Sequence, residues 1–325
     1  MRDSTINCFM PLLLGGGTDN HNDHSGVETP ICSVGSHKSF SPNDEQDLID
    51  SRKSVSVIVP LYYGKKYIDG LYHMITTALA KAQLLENSEV IFINDCPDEK
   101  IELNGYTYAK LINNKQNIGI HGSKCYGFHK AKGCYIHFLD QDDVISEDFY
   151  KSQLKKINDA DVIVCNAILE NPTYERILYR SWFSLYMVKL PKIYVYIDNR
   201  VESLGQCIIK RDTLPEEWTK SIMGKNGADD YYLLLSMFEK KRKIEINYDV
   251  LYRHVYTSVN LSLDRDAMVE SVNSVAKLMH KYYPDSRLTR LLYRRVEYLN
   301  GSRHIRLLPF SVINGIRIMS RKIRG

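Results

Sequence analysis

Asp140, Gln141, Asp142 and Asp143 follow directly on the apolar pair Phe138 and Leu139. Carboxylates crowded at a strand end repel one another and lose hydration, so a cation normally compensates them. Hard oxygen ligands suit Mg2+ or Mn2+, which bridge one or two carboxylates to substrate phosphates, and Asp140 with Asp142 is the candidate metal pair. The same residues could instead form a solvated turn that caps the next helix. A second acid pair, Asp229 and Asp230, opens an apolar helix after Asn226, Gly227 and Ala228. The helix dipole favours acids there, and one of the two could equally act as a general base.

Two further groups have the types needed to hold a nucleotide. Asn94, Asp95 and Cys96 end an apolar run, where a carboxylate can accept hydrogen bonds from a ribose hydroxyl or a base amide. An ordinary Asn-Asp turn is the alternative. Asn117, Gly119, Gly122, Lys124 and Gly127 stand at the entrance to a helix, whose N-terminus favours anions. Lys124 adds positive charge, so a diphosphate could rest there, or the glycines could serve helix packing alone. A phosphate loop of the GxxxxGK[ST] type is absent.

These residues need a scaffold, and the hydrophobic pattern predicts one. Val55, Val57 and Val59 interleave with Ser56 and Ile58 as a buried strand ended by Pro60. Ile68, Leu71, Ile75, Leu79 and Ala82 then mark one face of a helix, and residues 89–93 a second strand. Strands at 108–112, 135–139, 161–165 and 243–247 and helices at 119–131, 147–157 and 229–238 continue the alternation. The reading is an α/β fold with a mostly parallel sheet, so ligands should gather at the carboxyl ends of its strands. Residues 169–205 show no period, and the chain from 264 onward reads as mostly helical.

Composition sets the outer limits. The chain has 325 residues, 44% hydrophobic and 25% charged, which suits a folded enzyme and excludes a small disulfide-stapled scaffold. Seven cysteines without a CxxC pair read as reduced thiols in the cytosol, and no apolar run reaches a membrane span. Residues 1–53 read as a disordered leader, whose His21, His24, Cys32 and His37 are too irregularly spaced for a metal site. From Ser286 onward ten Lys and Arg face the single acid Glu297, while the rest of the chain is net acidic. That division argues against nucleic-acid binding and favours a tail drawn to an anionic surface. Val312, Ile316, Met319 and Ile323 share a helical face flanked by Arg317, Arg321 and Arg324, the pattern of a helix lying on an anionic membrane. Docking on the protein's own acidic body is the alternative.

Taken in order from Ser54 to about Ser262, the motifs resemble the family 2 glycosyltransferases of the GT-A fold. VSVIVPLYY is similar to the family's opening strand, with Tyr63 where asparagine usually stands. VIFINDCPDE resembles its second-strand motif, and NIGIHGSKCYGFHKAKGCYIHFLDQDD its approach to the DxD element, with Lys124 and Cys125 replacing a common Arg-Asn pair. GADDYYLLL resembles the acceptor-side GEDxxL, and Tyr252, Arg253 and His254 the late YRxH element. The resemblance implies a GT-A domain over 54–263, and the helical pattern and basic charge beyond it read as a helical basic C-terminal extension over 264–325. It implies a nucleotide-diphosphate sugar as donor, probed by Pro60, Tyr62, Asp95, Asn117, Gly119, Lys124, Asp140 and Gln141. It further implies Mn2+ or Mg2+ on Asp140 and Asp142, and inverting transfer with Asp230 as base and Asp229 as the preceding acid. The implied acceptor is a glycan or lipid-linked glycan at the cytoplasmic face of the membrane. A nucleotidyltransferase and a non-catalytic sugar-nucleotide-binding scaffold are the alternatives. Gln206 and Trp218 read as a buried amide and a core aromatic in preference to acceptor contacts.

Overall fold

Strand β1 (Val55–Leu61) is buried along its whole length, and its residues divide by the period of two between the faces of a sheet. Val55, Val57, Val59 and Leu61 enter one core with α1 (Ile68–Lys81) and α3 (Phe149–Lys156). Ile58 enters the other core. In this computed structural model residues 53–224, 227–256, 265–302, 304 and 307–313 are described, all within the unit Asp47–Gly325.

The remaining strands are β2 (Glu89–Asn94), β3 (Ala109–Asn113), β4 (Tyr135–Phe138), β5 (Val144–Ile145), β6 (Val162–Asn171), β7 (Tyr174–Ile177), β8 (Cys207–Lys210) and β9 (Ile244–Val255). They form a sheet in the order β3-β2-β1-β4-β8-β6-β9-β5, with β7 paired to β6. Strands β3, β2, β1, β4, β6 and β9 share one direction, and β5, β7 and β8 run against them. The sheet is therefore mostly parallel, as the sequence predicts. Because β1 lies between β2 and β4, the chain leaves it in opposite directions on the two sides, and a crevice opens at the carboxyl ends.

Helix α2 (Gly119–Lys130) packs on β1 and β2, and it carries few large apolar residues. A Cβ at Gly127 would overlap Ile58 Cγ2 and stand 3.4 Å from Ile93 Cγ1, so this glycine serves helix-on-sheet packing and not an anion. Residues 169–205, without period in the sequence, form the β6–β7 hairpin and two short helices, α4 (Trp182–Tyr186) and α5 (Pro191–Tyr196). After α6 (Glu216–Lys220) comes α7 (Asp229–Glu239), whose Leu233 and Met237 share a core with Val275 and Met279 of α8 (Arg265–Tyr282) and Leu292 of α9 (Arg287–Leu299).

The C-terminal helices thus bury apolar side chains against the sheet-bearing body. Leu307 and Phe310 belong to the same core, and the Phe310 ring contacts Tyr196 and Tyr298. The turn holding Leu307 and Phe310 is thus seated on the protein, while Val312, the first residue of the expected membrane-facing stripe, is exposed. The apolar stripe Ile316, Met319 and Ile323 lies outside the described residues, as do the leader and Asn226. No helix among the described residues is long and apolar enough to cross a membrane. Cys96, Cys125, Cys134, Cys165 and Cys207 are thiols and not disulfides.

Candidate active site

Three loops meet at the carboxyl ends of β1, β2 and β4. Beyond β1, the exposed Tyr62 is fixed through its peptide: its N–H donates to Gln141 Oε1 at 2.9 Å, and its carbonyl accepts from Gln141 Nε2 at 3.2 Å. Gln141 therefore clamps one loop to the next, and its amide is taken up by backbone. Pro60 is buried inside β1 and presents no polar group of its own.

Asp95, which is only 4% exposed, follows β2. Its Oδ1 accepts from Asn114 Nδ2 at 2.8 Å and from the Ile118 amide at 2.9 Å. The carboxylate is thereby aimed before any ligand arrives, and it satisfies a donor at the start of α2. Asn117 Oδ1 accepts from the Gly119 amide at 2.9 Å, and Gly119 has φ +77°, which disfavours a side chain there. The Asn117 side chain is spent on this turn.

Lys124 does not face an open phosphate cradle. It is 3% exposed, with Nζ 3.0 Å from Asp229 Oδ2 and 3.4 Å from Asp140 Oδ1. A buried ammonium is held in place by carboxylates, and here it takes one from each acid pair. Burial pulls its pKa down, but Asp140, Asp229 and Asp230 outweigh that and hold it well above the usual lysine range. Burial likewise pushes Asp229 up, yet the Lys124 charge and hydrogen bond bring it below the usual carboxylate range.

Asp230 has the opposite environment. Burial and the neighbouring Asp229 charge raise its pKa to about 8, against weaker lowering by Lys124. The Tyr231 amide donates to its Oδ1 at 2.6 Å, and Asn199 Nδ2 donates to its Oδ2 at 2.9 Å. Two adjacent acids driven apart in pKa are suited to different work, one as a fixed anion and one as a proton acceptor.

In the loop after β4, Asp140 Oδ2 accepts from Ser203 Oγ at 2.9 Å, while its buried Oδ1 has the Lys124 ion pair but no hydrogen bond. Asp143 is consumed by structure: Tyr252 Oη donates to its Oδ2, His254 Nδ1 lies 2.9 Å from its Oδ1, and the Val255 amide reaches the same oxygen. Burial lowers His254, but the Asp143 bond and charge raise it to about 9. For Asp142, burial, Asp143 and Asp140 outweigh the weaker lowering by His254 and a backbone hydrogen bond and raise it to about 6. No cluster of three His, Cys, Asp or Glu suited to a metal exists among the described residues. Mg2+ and Mn2+ need only one or two carboxylates when substrate phosphates complete the shell, so Asp142 and the orphaned Asp140 oxygen fit such an ion.

Sequence reasoning missed Asn114, Asn199, Ser203 and Gln141's clamping role, since each acts on a partner distant in the chain. Gln206 and Trp218 are fully buried, the amide bonding the Cys165 carbonyl at 2.9 Å and the indole the Asp229 carbonyl at 2.9 Å. Both are taken up inside the core, as the sequence reads them.

Comparison with known proteins bears on the fold and the family. An uncharacterized glycosyltransferase of Rickettsia typhi is 29% identical over 225 residues, covering 67% of this chain and 63% of its own length. The minor teichoic acid biosynthesis protein GgaB of Bacillus subtilis is 36% identical over 105 residues, which is 30% of this chain and 11% of that protein. The matches thus span less than two thirds of these relatives. The crystal structure of S. aureus TarS 1–349 in complex with UDP-GlcNAc superposes with a TM-score of 0.55 at 15% identity, over 77% of this chain and 72% of that one, which shows a shared fold. The model described as glycosyl transferase family 2 matches residues 56–218, and the chain belongs to that family.

Proposed function

We propose that the protein is an inverting glycosyltransferase that moves a sugar from a nucleotide diphosphate, of the UDP type, to a hydroxyl of a glycan or lipid-linked acceptor in cell-surface polysaccharide synthesis. The observation that carries this reading is the pairing of Asp140 and Asp229 through Lys124, which places the two acid pairs in one site. The family supports transfer of a glycosyl group, and a relative's part in teichoic acid biosynthesis supports a cell-surface product. The UDP-GlcNAc bound by TarS supports the donor class.

In this reading Asp95, held by Asn114 and the Ile118 amide, receives the nucleoside. The loop of Pro60 and Tyr62, clamped by Gln141, and the turn of Asn117 and Gly119 would border the donor. A divalent cation held by Asp142 with Asp140, when bound, would neutralise the leaving diphosphate. Asp230 takes the proton of the acceptor hydroxyl as that oxygen attacks the anomeric carbon from the face opposite the diphosphate. Its raised pKa makes it a stronger acceptor than an ordinary carboxylate. Asp229 stays ionised beside Lys124 and keeps Asp230 basic. The protein would work at the cytoplasmic membrane face, with the basic residues after 313 contributing attraction to anionic lipid.

A panel of nucleotide sugars incubated with the full chain and Mn2+ tests this. Release of nucleoside diphosphate from one donor, lost on Asp142→Ala, is expected. Release of pyrophosphate from a nucleoside triphosphate would establish a nucleotidyltransferase instead, and binding without turnover a scaffold.

A further inference from the structure

The segment between Tyr174 and Lys192 is unlike the rest of the surface. Tyr174, Ile177, Trp182 and Phe183 are 49%, 45%, 60% and 64% exposed, four large apolar side chains within ten residues of sequence. All four residues of β7 are exposed, and the following α4 opens with the adjacent Trp182 and Phe183. This helix is not loose. Ser181 caps it through a reciprocal bond with Ser184, Leu185 is fully buried beneath it, and the Trp182 indole stacks on Tyr186 at 5.0 Å.

The charge around these residues is positive. Arg176, Arg180 and Lys192 make no ion pair among the described residues, whereas the one acid of the segment, Glu175, is matched by Arg253 at 2.7 Å. Arg253 also binds Glu170 at 2.5 Å and directly precedes His254, the partner of Asp143. Strand β7 pairs with the last residues of β6, Ile168 to Asn171, at that strand's carboxyl end. The β6–β7 turn stands at the carboxyl end of the sheet, and the chain then runs back along β6, so that Lys189 beyond α4 reaches Glu245 near the start of β9.

Exposed indole, phenyl and sec-butyl groups ringed by arginine have the composition of a segment seated in a lipid interface, where rings sit at headgroup level and cations meet anionic lipid. A sugar-stacking platform would need an open ring face with polar neighbours for hydroxyl groups. Here one face of Trp182 is covered by Tyr186, and Phe183 and Ile177 have no polar side-chain atoms. We propose that β7 and α4 form a membrane-docking surface that seats the protein on an anionic bilayer. The inference rests on this patch alone. It is separate from the basic tail and from the identity of donor and acceptor.

Flotation of the full chain with phosphatidylcholine vesicles, with and without phosphatidylglycerol, tests it in the absence of any sugar nucleotide. Of the two tryptophans, Trp218 is fully buried, so Trp182 reports on the surface. Vesicles containing phosphatidylglycerol should shift its emission to the blue, and brominated phosphatidylcholine should quench it. Trp182→Ala combined with Phe183→Ala should weaken binding by at least about tenfold. Arg176→Gln and Arg180→Gln should each cost about fivefold on anionic vesicles and little on pure phosphatidylcholine. Equal flotation of the Trp182/Phe183 variant, or an unquenched Trp182 in the wild type, overturns the proposal. So does binding lost only on truncation after residue 313, or an emission shift produced by soluble oligosaccharide and not by vesicles.

Discussion

Lys124 Nζ sits 3.0 Å from Asp229 Oδ2, inside the protein, and so a positive charge on the second turn of α2 fixes the start of α7 across the site. Removing one partner of a buried pair leaves the other charge uncompensated. Lys124→Met should therefore destabilise the fold by about 3–5 kcal/mol in urea unfolding, and Lys124→Arg by less. Asp229 is held below its ordinary pKa, so its share of stability is complete above the unfolded value near ~4 and fades as pH falls through the folded one. That acid-side loss should be smaller in Lys124→Met.

Asp230 runs the other way. A carboxyl raised to about 8 binds its proton more tightly folded than unfolded, so its contribution to stability falls as pH rises from the unfolded value of ~4 towards 8. Asp230→Asn should raise the melting temperature at pH 7 to 8 while lowering transfer by roughly 10²- to 10⁴-fold. Calorimetry and initial rates on one preparation check both. A variant less stable than wild type would remove the case for a strained base.

The acid limb of kcat/KM should report this group, with activity rising as pH climbs towards 8. Asn199 donates to Asp230 Oδ2 at 2.9 Å, which favours the ionised form. Asn199→Ala should therefore move the limb to higher pH, with several-fold slower transfer at pH 7. An unmoved limb would make Asn199 a packing residue only.

Asp142→Ala should abolish metal-dependent binding of nucleoside diphosphate without unfolding the chain, because its carboxyl is already crowded by Asp140 and Asp143. In the wild type, binding with Mn2+ should weaken as pH falls through about 6, where that carboxyl takes up a proton. Isothermal titration at several pH values measures both effects.

Where the tail is cut matters. Deleting 309–325 removes Phe310, which is 4% exposed against Tyr196 and Tyr298, and a loss of about 3–5 kcal/mol is expected. Deleting 314–325 should leave the melting temperature and donor hydrolysis unchanged while weakening attraction to anionic vesicles. A large drop in melting temperature for the shorter deletion would place the last residues on the body as well.

The alternation of strands and helices was legible because β1, β2 and β6 are long β-branched runs and α1 has five buried positions at helical spacing. The acids after β4 and at α7 were legible as pairs of like charge needing compensation. What compensates Asp229 was not, since Lys124 lies 105 residues earlier in the chain. Nor were Asn199 and Ser203, whose partners lie 31 and 63 residues away and leave no local spacing to read. The segment holding Asn199 hid for another reason: α4 and α5 have five and six residues, too few to show a helical period, and β7 has no buried face.

The contact between Gly127 and Ile58 sets a separation. Helix α2 lies on β1 with only the Ile58 side chain between them at this point, and Lys124 is one turn earlier on that helix. The reach of its ammonium to Asp140 and Asp229 is thus gauged by a missing methyl group. An alanine at 127, unremarkable in most helices, would lift α2 from the sheet and draw the Lys124 ammonium away from both carboxylates. An error at the packing layer would be felt first as an error of charge.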